Sequence, residues 1–223
     1  MAVILGYDMP MTAEATQGHR TFIPAAGYDL LLPLYDVLAK LVGSEAAHRQ
    51  LVDQAGIEPG HHVLDIGCGT GNLTLLIKGH HPRAEVVGLD PDPKALTRAR
   101  RKAEEQGLAV RLDQGFSDEL PYAEASFDRV FSAFMLHHLP PDVKEKTLRE
   151  ARRVLRSGGV FHSLDFGGTG HANGIIGYLF HRAHVGDQSR IPSLMREAGF
   201  ADVTELAPRD TIMGRVSYWR AST

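Results

Sequence analysis

The sequence contains little cysteine, little tryptophan and no strong excess of either charge. Cys68 is the single cysteine among 223 residues, there is one tryptophan, and the formal net charge is -3. A single cysteine excludes an intramolecular disulfide framework and favours a reducing compartment, so a cytoplasmic location is expected. A balance of charge so close to neutral provides no basic field of the kind that attracts nucleic acid, and no nucleic-acid partner is predicted.

Long apolar runs are also missing. The apolar stretch from Ala2 to Leu5 has no basic region before it and is followed by Asp8. It therefore fits neither a signal peptide nor a membrane span, and we expect no membrane span.

Twelve histidines are present, but none has the H-E-x-x-H spacing of a zinc site. His181 and His184 lie three residues apart and are interpreted as surface histidines, so no metal is predicted. The densest basic run, residues 98–102, is interpreted as a solvated helix face that is balanced by Glu104 and Glu105.

The most informative segment that is present is Val-Leu-Asp-Ile-Gly-Cys-Gly-Thr-Gly, residues 63–71. An apolar strand pattern ends in a loop with glycine at every second position, which allows positive φ and close approach of a ligand to the main chain. A dinucleotide fingerprint would read G-x-G-x-x-G, but Asn72 stands where its third glycine belongs. Asp65 would also repel a pyrophosphate. The segment therefore favours a ligand with a cation and no phosphate near the loop, and S-adenosylmethionine has that charge distribution.

A second strand pattern, residues 85–89, ends in Asp90. A carboxylate at this place, nineteen residues beyond Gly71, can accept both ribose hydroxyls of a bound nucleoside. The same acid serves NAD, so Asp90 alone does not choose between the two ligands.

Over roughly residues 60–165 the chain resembles the class I S-adenosylmethionine-dependent methyltransferases, in particular the branch of ubiquinone and menaquinone biosynthesis. The matching segments follow in family order: Val63–Gly71, Gly88–Asp90, Gly115 with Leu120-Pro121, Ser126–Val130, Leu136–His138 and Leu155–Gly159. The resemblance implies S-adenosyl-L-methionine as cofactor, S-adenosyl-L-homocysteine as product and a small-molecule methyl acceptor.

The resemblance also implies a set of cofactor contacts. Asp65 and the backbone of Gly67 and Gly69 would hold the methionine part, with Cys68 as a small buried residue between them. Asp90 would bind the ribose and Pro91 would cover one face of the adenine.

Further contacts are expected on the other strands. The Ser132 carbonyl would accept from the cofactor ammonium. Relatives place an acid and a small residue after Gly115, whereas this chain has Phe116 and Ser117, and adenine would stack on Phe116.

The resemblance suggests two catalytic candidates. His137 lies near the expected methyl group, where it could act as a base or simply pack. Asp165 ends the fifth predicted strand and could face the substrate or anchor the loop that follows.

The expected fold is α/β: a Rossmann-like, doubly wound sheet of seven strands, mostly parallel with one antiparallel strand, and a helical N-terminal lid. Residues 1–58 are predicted to form an arm and this lid, and residues 59–223 the cofactor-binding domain, with a substrate-pocket insertion at about 166–188. Helices are predicted over 30–42, 44–56, 73–78, 93–106, 142–156, 175–184 and 191–198. Strands are predicted over 63–66, 85–89, 109–112, 129–134, 160–164, 203–206 and 211–219.

Four functions compete at this level. The first is an S-adenosylmethionine-dependent methyltransferase, monomeric or homodimeric, that acts on a small molecule. The second is an NAD-linked oxidoreductase, which the loop spacing disfavours, and the third is a cofactor-binding module that has lost catalysis and acts through a partner protein. The fourth, methylation of a nucleic-acid base, is the weakest, because residues 132–135 read Ser-Ala-Phe-Met rather than the Asn-Pro-Pro-Tyr type motif.

Overall fold

The computed structural model describes residues 15–17, 20–22, 44–166, 190–211 and 214–223. Near the N-terminus two short strands, β1 (Ala15–Gln17) and β2 (Arg20–Phe22), pair antiparallel within the segment that the sequence predicted to be an arm. The helices predicted over 30–42 and 175–184, and most of the predicted insertion, lie outside the described residues. The division of the chain at residue 58 stays a prediction.

The centre of the molecule is a seven-stranded sheet with the order β5-β4-β3-β6-β7-β9-β8. Its strands are β3 (His62–Ile66), β4 (Glu85–Asp90), β5 (Arg111–Gln114), β6 (Phe127–Ala133), β7 (Leu155–Phe166), β8 (Ala201–Thr211) and β9 (Gly214–Ser222). Strands β3 to β7 pair in parallel, and β9 runs antiparallel to both β7 and β8. The predicted mostly parallel, Rossmann-like sheet with one reversed strand is confirmed.

The helices that flank this sheet are α1 (Ser44–Asp53), α2 (Asn72–His80), α3 (Pro93–Gln106), α4 (Pro141–Val154) and α5 (Ile191–Glu197), with a 3-10 turn at Leu136–His138. Helix α3 has the ends that its sequence predicts. The Asp92 side chain accepts a hydrogen bond from the Lys94 N–H at 2.8 Å, and Gly107 closes the helix with φ of 64°.

Several predicted boundaries were wrong by two or three residues. Helix α1 ends at Asp53 rather than near Gly56, and β5 begins at Arg111 rather than residue 109. Helix α4 ends at Val154 because β7 starts at the next residue, without a connecting loop. Boundaries of this kind depend on neighbouring elements more than on local sequence.

Apolar side chains cover both faces of the sheet. One core contains residues such as Leu64, Val130 and Phe161 and packs against α4 and α5. The other contains Val63, Phe131 and Leu164 and packs against α1 and α2. A sheet buried on both faces leaves its strand ends as the accessible places for a ligand.

Strand β3 has β4 on one side and β6 on the other, so the direction of strand order reverses there. In open parallel sheets, ligands bind outside the carboxyl ends of the strands at such a switch point. The glycine-rich loop leaves the sheet at this point.

Candidate functional site

The backbone N–H groups at the start of the glycine-rich loop are already occupied by hydrogen bonds within the protein. The N–H groups of Gly67 and Cys68 both donate to the Leu89 carbonyl, at 2.8 and 3.0 Å. The Gly69 N–H donates to Asp90 Oδ2 at 2.8 Å. The backbone N–H groups of Gly67, Cys68 and Gly69 are therefore not available as donors to a phosphate.

The structure also changes the interpretation of the glycines. Gly67 has φ of 72°, and a Cβ there would lie 2.4 Å from Met135 Cγ. Gly71 has φ of 79°, and a Cβ there would lie 2.9 Å from Ala99 Cβ on α3. The space beside these two glycines is filled by protein side chains, so the expectation that they expose bare backbone to a ligand was too simple.

The Asp65 carboxyl group lies beneath the loop rather than on its surface. The residue is 1% exposed, and Thr74 Oγ1 donates to Asp65 Oδ2 at 2.6 Å. Burial raises the pKa of Asp65 to about 7, and the nearby charge of Asp90 adds to the rise. The cofactor contact expected of Asp65 stays a prediction.

Asp90 ends β4 with both carboxyl oxygens hydrogen-bonded. Oδ2 accepts from the Gly69 N–H, and Oδ1 accepts from the Asp92 N–H at 2.9 Å. Burial raises the pKa of Asp90 to about 6 despite these two bonds. Neither Asp65 nor Asp90 has a cationic partner within the described ranges. The site therefore holds negative charge that a cationic ligand would compensate.

Cys68, between the two glycines, is buried. Desolvation raises the pKa of its thiol well above the usual value, and the two carboxylates act in the same direction. A thiol that resists ionisation is a poor nucleophile, which agrees with the interpretation of Cys68 as a packing residue.

The residues expected beside the adenine surround the ends of β4 and β5. Pro91 follows Asp90 and is half-buried, and its carbonyl accepts from Gln114 Nε2 at 3.1 Å. Phe116 is half-buried. The Ser117 hydroxyl pairs with Thr147 Oγ1 of α4 at 2.8 Å, so this side chain binds another element. Adenine stacking on Phe116 stays a prediction.

Ser132 lies near the end of β6, between Ile66 of β3 and Ser163 of β7 in the sheet register. It is 1% exposed, and its hydroxyl has no hydrogen-bond partner among the residues that the structure describes. The proposed role of its carbonyl toward the cofactor ammonium stays a prediction.

The two catalytic candidates form a hydrogen-bonded pair. His137 Nδ1 lies 2.5 Å from Asp165 Oδ1, and the His137 N–H donates to Asp165 Oδ2 at 3.0 Å. The Phe166 N–H also donates to Asp165 Oδ1, at 2.9 Å. Because two backbone donors already bind Asp165, the carboxyl group acts as an acceptor and Nδ1 carries the shared proton. This tautomer leaves the lone pair on Nε2.

Residues 63–159 match a family model described as a methyltransferase domain. The chain is 40% identical over 139 residues to a demethylmenaquinone methyltransferase of Thermus thermophilus, which covers 61% of this chain and 62% of that protein. It is 33% identical over 153 residues to a demethylmenaquinone methyltransferase of Deinococcus radiodurans, covering 67% and 62% of the two chains. Over residues 63–159 the chain is therefore similar to the methyltransferase domain family.

A solved structure agrees with the fold described above. A SAM-dependent methyltransferase from Aquifex aeolicus superposes with a TM-score of 0.66 at 18% identity, over 84% of this chain and 98% of that one. The alignments to the two demethylmenaquinone methyltransferases span about three fifths of their length.

An aromatic wall, formed by Phe134 and Phe166, lies beside the His137–Asp165 pair, and the sequence did not indicate it. Phe134 and Phe166 have ring centroids 5.0 Å apart, and Phe166 meets His137 edge-on at 5.3 Å. The ring centroid of His48, on α1, lies 5.7 Å from that of Phe134. Phe134 has φ of 52°, a backbone conformation that costs a non-glycine residue energy and is concentrated at functional sites.

The described part of the chain contains neither a candidate membrane span nor a candidate metal cluster. No helix in it is both long and apolar enough to cross a bilayer. No group of three histidine, cysteine, aspartate or glutamate side chains in it could hold a metal ion.

Proposed function

We propose that this protein binds S-adenosylmethionine at loop 67–71 and transfers its methyl group to a small-molecule acceptor by in-line displacement. The observation that carries the proposal is the chemistry of the loop. Its Gly67, Cys68 and Gly69 N–H groups are occupied by Leu89 and Asp90, as described above. A pyrophosphate needs such donors, whereas a cationic amino acid moiety needs acceptors, so the loop favours S-adenosylmethionine over NAD.

The two buried carboxyl groups support the same cofactor. Asp65 and Asp90 are kept from water and lack a cationic partner among the described residues. Burying negative charge is costly unless a positive charge compensates it. The ammonium and sulfonium groups of the cofactor carry that compensating charge.

The names of the relatives and the aromatic wall support a flat, largely apolar acceptor. Two relatives are named for methylation of demethylmenaquinone. Phe134 and Phe166 are half-buried next to His137, where an aromatic ring of the acceptor can pack against them.

When bound, the cofactor supplies a methyl group with a good leaving group, so the protein has to align the acceptor and, for a phenol or enol, remove its proton. We assign proton removal to His137 Nε2. Asp165 holds the ring through Nδ1 and stabilises the imidazolium that forms. S-adenosylmethionine held at loop 67–71 would supply the methyl group, and S-adenosylhomocysteine would be the leaving group.

The first test is calorimetric titration with S-adenosylhomocysteine, with NADH as the matched negative ligand. Binding at about 1 to 100 μM, worth roughly 5 to 8 kcal/mol, is expected for S-adenosylhomocysteine and no heat is expected for NADH. Asp90→Ala should weaken this binding at least tenfold. Asp113→Ala is the control, since Asp113 lies on neighbouring β5 and pairs with Arg111 and Tyr122.

Catalysis is tested with radiolabelled cofactor and a panel of small acceptors that includes reduced demethylmenaquinone. His137→Gln and Asp165→Asn should lower turnover of hydroxylated acceptors while leaving the affinity for S-adenosylhomocysteine within about threefold of wild type. Tight cofactor binding with no turnover of any acceptor would instead favour the binding module that acts through a partner.

A further inference from the structure

The basic run at residues 98–102 contains one lysine that behaves differently from two of its neighbours. Arg101 is exposed and pairs with Glu105 on its own helix at 2.7 Å. Arg100 donates to the Leu112 carbonyl of β5 at 3.1 Å. Lys102 is half-buried and turns toward the glycine-rich loop. The interpretation of the run as a solvated face therefore holds for Arg101 and fails for Lys102.

Lys102 binds the two residues on either side of Gly71. Its Nζ donates to Asn72 Oδ1 at 2.6 Å and to Thr70 Oγ1 at 3.2 Å. Thr70 is 2% exposed, and Asn72 is the first residue of α2. One ammonium group thus links the end of the loop to the start of the helix, from an element that is 30 residues away in sequence.

The same helix supports the loop at a second point. Ala99, one turn before Lys102 on α3, lies so close to Gly71 that a Cβ on the glycine would be 2.9 Å from the Ala99 Cβ. Helix α3 therefore contacts three consecutive residues, Thr70, Gly71 and Asn72. Packing at Ala99 sets the distance between helix and loop, and the hydrogen bonds from Lys102 set their orientation.

Helix capping does not account for this lysine. Gly71 at the N-cap of α2 has no side-chain capping bond, and a cation beside a helix N-terminus opposes the helix dipole. The Lys102 ammonium group is therefore electrostatically unfavourable for α2. Its hydrogen bonds stabilise the loop rather than the helix.

We propose that Lys102 is a positioning residue that keeps loop 67–71 in its cofactor-binding conformation, an inference that rests on the proposed function. Without it, the loop populates other conformations that must be ordered again when the cofactor binds, and this cost lowers affinity. The rate of methyl transfer at saturating cofactor does not depend on Lys102, because the bound geometry is the same.

The test compares Lys102→Met and Lys102→Arg with Arg101→Met, the matched control on the exposed side of the same helix. Lys102→Met should raise the Kd for S-adenosylhomocysteine at least fivefold, which is about 1 kcal/mol. Lys102→Arg, which keeps charged donors, should restore affinity to within about twofold, and Arg101→Met should leave it unchanged. With an identified acceptor, KM for the cofactor should rise while kcat stays constant.

Amide hydrogen exchange of the ligand-free protein gives an independent measurement. Exchange in a peptide covering residues 66–75 should quicken in Lys102→Met, with the thermal midpoint within a few degrees of wild type. If Lys102→Met does not fold, Asn72→Ala removes the shorter bond and takes its place.

Three results would overturn the inference: unchanged Kd in Lys102→Met, an equal loss in Arg101→Met, or a fall in kcat without a change in KM. A wild-type protein that binds no S-adenosylhomocysteine would instead contradict the proposed function. Faster exchange at 66–75 would then show that Lys102 braces the loop, and the cofactor role would be withdrawn.

Discussion

At the scale of single residues, the molecule uses glycine for internal packing as much as for ligand access. Gly67 adopts φ of 72° and has the Met135 side chain directly over it. Gly88 on β4 is similarly enclosed, since a Cβ there would lie 2.9 Å from Cys68 Sγ. The loop conformation therefore depends on close packing around the glycines as well as on the positive φ that glycine allows.

Gly67→Ala should lower the free energy of unfolding by about 2 to 4 kcal/mol, through left-handed strain and overpacking against Met135. Urea denaturation of the variant and wild type measures this change. In a Met135→Ala background the same substitution should cost only about 1 to 2 kcal/mol, because the strain remains and the collision does not. Equal costs in both backgrounds would show that Met135 plays no part.

His162 is a buried titratable side chain on the sheet face that packs against α1 and α2. It is 1% exposed, stacks on Phe131 at 5.4 Å, and neither ring nitrogen has a hydrogen-bond partner within the described ranges. Burial lowers the pKa of His162 to about 3, and the charges of Arg129 and Arg220 act in the same direction.

This pKa predicts an acid-dependent loss of stability. The unfolded chain binds a proton at His162 below about pH 6.5 while the folded chain does not, so stability falls as pH decreases below that value. Between pH 7 and pH 5 the wild type should lose about 2 kcal/mol that His162→Phe does not lose. Chemical denaturation of both proteins at the two pH values checks this, and parallel losses would contradict it.

At the scale of elements, three strands of the sheet are joined at their amino ends by the carboxylate of Asp128. Asp128 of β6 accepts from the His62 N–H of β3 at 2.7 Å and from Arg156 Nη1 of β7 at 2.6 Å. These hydrogen bonds outweigh the effect of desolvation and hold the pKa of Asp128 below its usual value. The parallel centre of the sheet is thus tied together away from the candidate site.

Asp128→Ala should cost about 1 to 3 kcal/mol of stability, because it removes charge-assisted bonds to two strands and leaves the His62 N–H without its acceptor. Asp128→Asn keeps an acceptor and should lose less. The affinity for S-adenosylhomocysteine should be unchanged in both variants, as measured by titration calorimetry beside denaturation. A selective loss of affinity would mean that the amino ends of the strands communicate with the site.

At the scale of the whole molecule, protonation, ligand binding and folding are linked through the two buried carboxyl groups. Their pKa values are raised to about 7 for Asp65 and about 6 for Asp90, so both favour the folded state at low pH and that stability is lost as pH rises from about 4 to about 7. The buried histidines His48 and His162 act in the opposite sense, since their pKa values are lowered to about 4 and about 3. Near pH 6, a rise in pH therefore lowers stability through the two aspartates and raises it through the two histidines.

Binding of S-adenosylmethionine should release protons near pH 6.5, because its positive charge favours the ionised carboxylates. Calorimetric titrations in two buffers with different ionisation enthalpies should then give different heats. At pH 8.5 both carboxyl groups are already ionised, so their contribution to the buffer dependence should vanish. Equal heats at pH 6.5 would mean that neither Asp65 nor Asp90 senses the charge of the ligand.

The order of elements was predictable from local sequence because its signals lie within a few residues. Asp92, Pro93 and Gly107 mark both ends of α3, and short apolar runs mark β3 and β4. The start of β5 has no such signal and was misplaced, and at the end of α1 the signal of Gly56 was misleading, since the helix ends at Asp53.

The candidate site was predictable as a set of residues but not as an arrangement. Both His137 and Asp165 were singled out, yet their hydrogen bond spans 28 residues and forms only because β6 and β7 are neighbours in the sheet. The role of Lys102 was missed for the same reason, since its partners lie on another helix.

The sequence by itself determined the α/β class, the succession of strands and helices along the chain and the chemistry available at the strand ends, because periodicity and loop composition are local properties. Only the tertiary structure decided which donors stay available to a ligand. Leu89 and Asp90 occupy the N–H groups of Gly67, Cys68 and Gly69 because β4 lies beside β3. That pairing brings distant residues into contact, and it is the reason for proposing a cationic ligand at the loop.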